Sequence, residues 1–233
     1  MRVLFMGTGE IALPTFKRLA DSVTLIGLVT QPDRPVGRRS KPQAPRIKAE
    51  ALARSIPVLQ PEDVRHESEI SAIAALDPEL IVVMAYGQIL TKALLAVPSL
   101  GCFNIHASLL PRHRGASCIQ AAIAAGDRES GISIIKMVER LDAGDVVMTE
   151  RIGLSADETG GSLHDRLGEM APELTMMCIE KLAANTLTGE PQDHELATYA
   201  PQLQRLDGQI DWRLPAEVLE RRIRAYEPWP GSY

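Results

Sequence analysis

The chain has 233 residues, 45% of them hydrophobic and 24% charged, with a formal net charge of −5. That composition excludes intrinsic disorder, and the length fits one α/β domain with an appended piece. The acidic total argues against a surface coated in cations for nonspecific nucleic-acid binding, so an anionic partner has to meet a local basic patch.

The three cysteines, Cys102, Cys118 and Cys178, form neither a CxxC pair nor a zinc spacing. Such usage points to a reducing cytoplasm rather than a disulfide-built secreted fold. The longest apolar run, Leu80 to Tyr86, is far below the ~20 residues that cross a bilayer. The short apolar run after Arg2 is no signal-peptide core. No membrane partner is expected.

Along the chain, residues 2–6 predict a buried strand, followed by a turn at Gly7-Thr-Gly-Glu10 and a helix over 11–20. A second strand covers 23–29, and residues 31–37 are dense in turn formers. A helix over 44–55, a short strand at 57–59 and a helix over 67–76 follow. Leu80–Met84 is nearly all apolar, the mark of a strand buried on both faces. Cys102–His106 is a further strand, 117–125 a helix, 132–137 and 146–152 strands, and 162–185 a long helix. Residues 189–201 are polar and aperiodic and read as a linker. Beyond them, 209–212 reads as a short strand and Ala216–Ala225 as a helix. The alternation implies an α/β fold, Rossmann-like, with a mainly parallel sheet and helices on both faces. Such sheets bind ligands beyond the carboxyl ends of their strands. The expected division is a catalytic domain over 1–188, a linker over 189–205 and the start of a further domain over 206–233.

Gly7-Thr-Gly9-Glu-Ile-Ala12 matches a dinucleotide fingerprint, GxGxxA between a strand and a helix. That fingerprint also wants an acidic residue at the end of the second strand to hold a ribose. Here that strand ends in Val29-Thr30-Gln31, and Glu10 inside the loop would repel a pyrophosphate. The motif therefore reads as a tight strand-to-helix turn.

Asn104 and His106 lie two apart on a strand and so share one face. An aperiodic loop, Ala107 to Gly115, comes next, and Leu141-Asp-Ala-Gly-Asp145 is a turn between strands. In this combination Asn104-x-His106, Ser108-Leu-Leu-Pro111, Arg114-Gly115 and Asp142-x-Gly144 resemble the signature of the folate-dependent formyltransferases. Three stretches resemble the branch of that family acting on initiator methionyl-tRNA: Thr30-Gln-Pro-Asp-Arg-Pro-Val-Gly-Arg38, Val82-Val-Met-Ala-Tyr-Gly-Gln-Ile-Leu90, and Ile210-Asp-Trp with Ile223-Arg-Ala-Tyr-Glu-Pro-Trp-Pro-Gly231. The likeness spans essentially the whole chain.

The resemblance implies a formyltransferase fold. It also implies that 206–233 begins a C-terminal β-barrel domain that is incomplete here. The activity implied is transfer of a formyl group from 10-formyltetrahydrofolate to an amine, without a metal. Asn104, His106 and Asp142 are then the catalytic set. The Asn104 amide donates to the oxygen on which negative charge builds, a protonated His106 donates and neutralises, and Asp142 orients the imidazole or takes the amine proton. Asp145 is the rival carboxylate. Ser108, Leu109, Leu110 and Pro111 are expected to form one wall for the folate, and Tyr86, Gly87, Ile89 and Leu90 another. The same likeness places Arg38, Arg39 and Lys41 of the basic stretch 34–48 against the tRNA acceptor end, by phosphate contact. His113, between two arginines, reads as a solvated loop residue. A monomer is expected. The competing readings are a sibling enzyme acting on a small amine of purine or amino-sugar metabolism, a nicotinamide dehydrogenase, and a noncatalytic folate- or RNA-binding module.

Overall fold

The computed structural model describes residues 1–36 and 41–233, with 35, 36, 41 and 42 described by their backbone alone. A seven-stranded sheet is built from β1 (Arg2–Gly7), β2 (Thr24–Val29), β5 (Val58–Leu59), β6 (Leu80–Met84), β7 (Cys102–His106), β8 (Glu129–Lys136) and β9 (Val146–Gly153). Its order is β5-β2-β1-β6-β7-β8-β9. The first five strands in this order are parallel, whereas β8 runs antiparallel to β7 and to β9. The sheet is therefore mainly parallel, as the alternation of elements implies.

The α-helices are α1 (Leu13–Ser22), α2 (Arg46–Ala53), α3 (Glu67–Ala74), α4 (Lys92–Leu95), α5 (Cys118–Ala125), α6 (Gly160–Ala183) and α7 (Ala216–Ala225). The apolar spacing of α1 puts Leu13, Phe16 and Leu19 on one buried stripe. The Phe16 ring meets Phe5 of β1 edge to face at 5.8 Å. The start of α6 is fixed by a capping box in which Thr159 and Ser162 satisfy one another's backbone N–H. Strand alternation divides the core in two. Val3, Phe5, Val82, Phe103 and Ile105 pack with α1, α5 and α6. Leu4, Met6, Ile81, Val83 and Cys102 form the other layer, with Ile73 of α3 and Leu94 of α4.

Three features depart from the sequence reading. Residues 209–212 form no strand. The Asp211 carboxylate accepts the backbone N–H and the guanidinium of Arg213, and Ile210 N–H bonds to the carbonyl of Tyr233 at 2.8 Å. Trp212 is 80% exposed, so the alternating pattern has no sheet to bury its apolar face and the local turn prevails. The turn-rich stretch after Gln31 holds a small antiparallel hairpin, β3 (Arg34–Val36) with β4 (Lys41–Gln43). The aperiodic stretch after Gly189 is bonded along its length. Glu190 pairs with Val146, Thr198 and Ala200 bracket Arg114, and Leu203 N–H reaches Ser117 Oγ. It forms a strap over the loop that follows β7.

Gly115 holds φ +110° beneath this strap, where an added Cβ would stand 2.5 Å from the carbonyl oxygen of Ala200. Gly115→Ala is expected to destabilise the protein by about 1–3 kcal/mol and to speed amide exchange across 192–203. Gly153→Ala, whose added methyl meets nothing within 4 Å, should change stability by no more than about 0.5 kcal/mol. Thermal denaturation with hydrogen exchange separates the two.

Candidate active site

Because β7 alternates, Phe103 and Ile105 enter the core on one side, and Asn104 and His106 share the face of Cys102. The loop after β8 brings Asp142 onto that face with φ +47°. Its Oδ1 accepts from the Asn104 amide at 3.3 Å, and its Oδ2 accepts the Gly115 N–H at 2.8 Å. The same Oδ2 stands 3.7 Å from His106 Nδ1. The predicted residues Asn104, His106 and Asp142 thus meet around one carboxylate. Asp145 is not part of this cluster, since its side chain lies against Gly189.

His106 Nε2 lies 2.9 Å from the carbonyl of His113, which can only accept, so that nitrogen carries a proton. Nδ1 is left to face the carboxylate. The ring is 6% exposed and Asp142 10%. Burial works against the imidazolium, but Cys118, Asp142 and the His113 carbonyl outweigh it and lift the His106 pKa to about 9. At neutral pH the cluster therefore holds an imidazolium beside a carboxylate, with a gap wider than a hydrogen bond between them.

The loop from Ser108 to Pro111 is pinned to β8. Ser133 Oγ donates to the Ser108 carbonyl at 2.8 Å and accepts the Leu110 N–H at 3.0 Å. Ser108 Oγ donates to the Arg112 carbonyl at 2.8 Å, and the Leu110–Pro111 peptide is cis. The Leu109 side chain lies over Gly131, while Leu110 and Pro111 are half-buried. In the other expected wall, Tyr86 and Leu90 are buried in the second core layer and Ile89 is 68% exposed. Tyr86 offers only its carbonyl, which accepts from Gln31 Nε2 at 3.1 Å and Thr8 Oγ1 at 3.3 Å. Gly87 follows at φ +88°.

His113 corrects the sequence reading. It is 7% exposed, its Nε2 is 2.7 Å from Asp127 Oδ2, and its N–H donates to Thr198 Oγ1 at 2.8 Å. A carboxylate 14 positions away and a strap more than 80 positions away bury it, and neither is visible locally. Arg114, quoted in the family signature, joins the surroundings of the site, as do Gln192 and Cys118, which no sequence signal marked. Gln192 lies in a polar stretch that reads as a linker.

Among the described cations of the basic stretch, Arg34 pairs with Glu62 at 3.7 Å, Arg46 with Glu10 at 2.9 Å and Lys48 with Asp33 at 2.8 Å. Arg38 and Arg39 lie outside the described residues, and Lys41 enters β4 by its backbone alone. At the glycine motif, Thr8 and Gly9 both donate their N–H to the Ala85 carbonyl, at 3.2 and 3.3 Å. Those two donors are used within the fold, which leaves the motif a structural turn. Among the described residues no group of three or more His, Cys, Asp or Glu could hold a metal ion. No described helix is long and apolar enough to cross a membrane.

A family model described as formyl transferase matches residues 1–179, and one described as formyl transferase, C-terminal domain, matches 202–233. A methionyl-tRNA formyltransferase of Akkermansia muciniphila is 52% identical over 233 residues, covering 100% of this chain and 74% of that one. One of Pseudomonas fluorescens is 49% identical over 231 residues, covering 99% and 72%. Among solved structures, a 4-N formyltransferase from Francisella tularensis has a TM-score of 0.78 at 18% identity, over 100% of this chain and 91% of that one. HypX from Aquifex aeolicus, in complex with tetrahydrofolic acid, has a TM-score of 0.69 at 18% identity, over 100% and 35%. With a matched family model over most of its length and relatives near half identity across all of it, the chain belongs to the formyl transferase family, among the methionyl-tRNA formyltransferases.

Proposed function

We propose that the chain moves a formyl group from 10-formyltetrahydrofolate to the α-amino group of initiator methionyl-tRNA, in the cytoplasm and as a monomer. The observation that carries this reading is the meeting of Asn104, His106 and Asp142 around one nearly dry carboxylate. It stands in a chain related over its full length to methionyl-tRNA formyltransferases.

The folate-derived donor supplies the formyl carbon, and its bond to the carrier nitrogen breaks as the new bond to the amine forms. One proton leaves the amine and one reaches the carrier nitrogen. Asn104 has one amide hydrogen on Asp142 and a second to donate to the formyl oxygen as charge builds there. Imidazolium His106 adds a positive charge beside that oxygen. Asp142, 3.7 Å from His106 Nδ1, stabilises the imidazolium and accepts the amine proton. Exposed Ile89, Val138 and Leu141 and half-buried Leu110 supply the apolar surface that a flat pterin requires. Ser108, Leu109 and Pro111 hold that wall in place, and backbone groups from Tyr86 to Leu90 serve the edge. Arg38, Arg39 and Lys41 contact the acceptor end. Residues 1–188 form the catalytic domain, 189–205 the strap packed on it, and 206–233 the start of the next domain.

Formylation of methionyl initiator tRNA, followed in single turnover with 10-formyltetrahydrofolate, tests the reading; transfer only to a small amine or amino sugar overturns it. His106→Asn and Asp142→Asn should each lower the rate by about 100- to 1,000-fold with the fold retained. Asp145→Asn should stay near wild type.

The pH profile follows from the raised His106 pKa. The charged ring persists up to about pH 9, so activity should fall as pH rises through that value. The stability contributed by the charged ring is complete below its ordinary value of 6.5 and is lost over the same rise. Asp142→Asn removes one of the attractions and should move the alkaline limb of both curves to lower pH.

Arg38→Ala should raise KM for tRNA and reduce the salt slope of tRNA binding by about 1, with folate binding unchanged. An equal loss with a small amine acceptor refutes the phosphate contact.

A further inference from the structure

Gln192 lies in the strap and is 8% exposed. Both hydrogens of its amide are committed: Nε2 donates to the Asp142 carbonyl at 2.8 Å and to the Gly144 carbonyl at 2.7 Å. Its Oε1 accepts from Arg114 Nε at 3.1 Å and Nη2 at 2.6 Å. The amide can sit only one way. Turned over, its oxygen would face two carbonyl oxygens and its NH₂ would face a guanidinium. Arg114 is fully buried, and it also meets His194 Nδ1 at 3.0 Å and the side chain of Tyr199. Among the described residues no carboxylate pairs with it, so the Gln192 oxygen is its principal acceptor.

The turn that Gln192 grips is under constraint. Asp142 sits at φ +47°, a left-handed conformation that a residue with a Cβ adopts at a cost. Two positions on, Gly144 is pressed so close to the Lys136 carbonyl that an added Cβ would stand 1.8 Å from its oxygen. Without Gln192, two inward carbonyls would lose a donor they share. The carboxylate of Asp142 would then be held only by its own contacts with Asn104 and Gly115.

On the functional reading given above, we infer that Gln192 is a positioning residue for the formyl transfer: it fixes the Asp142 turn so that the carboxylate faces both Asn104 and His106, and it does so anchored on buried Arg114. It touches no reacting atom. A site depends on such support, because a shift of about 1 Å in a reacting group costs on the order of 100-fold in rate.

Gln192→Glu separates positioning from scaffolding. The carboxylate keeps, and strengthens, the acceptor for Arg114, but removes both donors to the turn. The full-length variant is expected to stay folded by circular dichroism. Its kcat should fall by at least about 10-fold while KM for tRNA and for the formyl donor stays within about 3-fold. Gln192→Leu, which removes both halves of the clamp, should show the same loss of kcat and a lower melting temperature. The His106 ring ¹⁵N and ¹H resonances of the resting protein should also shift in Gln192→Glu, since the carboxylate beside Nδ1 has moved. Wild-type kcat in Gln192→Glu, a loss confined to KM, or unchanged His106 resonances overturns the inference. Absence of formyl transfer by the wild-type chain sinks the functional reading instead, and the His106 resonances still decide the role of Gln192.

Discussion

A carboxylate that is nine-tenths removed from water must have its charge and its lone pairs met by the protein, and Asp142 is in that position. One oxygen takes the Asn104 amide and the other takes a backbone N–H and faces an imidazolium. Much of the surrounding architecture serves these partners. β7 carries two of them on one face, and the loop after it returns to present the Gly115 N–H. The antiparallel turn from β8 to β9 leaves the parallel half of the sheet to deliver the aspartate.

The same demand explains the position of His106. A neutral histidine with one nitrogen bound would satisfy a buried site. Here Nε2 is tied to a backbone carbonyl and Nδ1 faces a carboxylate, so both nitrogens favour carrying protons. Burial alone would discharge the ring, and the acceptors around it reverse that. The loop that supplies the Nε2 acceptor is held in turn by His113 on Asp127 and by Thr198 of the strap. The charge state of His106 therefore rests on contacts that cross more than 80 positions of sequence.

Legibility in the sequence follows this division between local and distant causes. Strands β1, β6 and β7 are short apolar runs bounded by turn formers, and period 2 puts Asn104 beside His106 before any tertiary contact exists. The apolar spacing of α1 and α7 and the capping box of α6 are equally local. Asp142 is visible only through a family signature, because nothing within its turn says which strand it meets. His113 and Gln192 are harder still. Each sits among polar neighbours, as a solvated residue does, and each is buried by partners from other segments. The alternation of residues 209–212 misleads for the opposite reason: a strand pattern is local, but a strand needs a neighbour to pair with, and Asp211 instead closes a turn on Arg213.

The glycine motif after β1 shows why topology does not assign chemistry. The strand, turn and helix are all present, and a dinucleotide site would use the free N–H groups of that turn to bind phosphate. In this chain the carbonyl of Ala85, itself at φ +48°, reaches across from the end of β6 and accepts from both Thr8 and Gly9. Glu10 adds a negative charge at the start of the helical segment and is met by Arg46. The turn is thereby used to lock β1 to β6 and to hold Tyr86 and Gln31 in register. Polar groups at one end of a twisted sheet can bind a ligand or one another. Between β1 and β6 they bind one another, whereas at β7 His106 and Asp142 stand 3.7 Å apart, beyond hydrogen-bond distance.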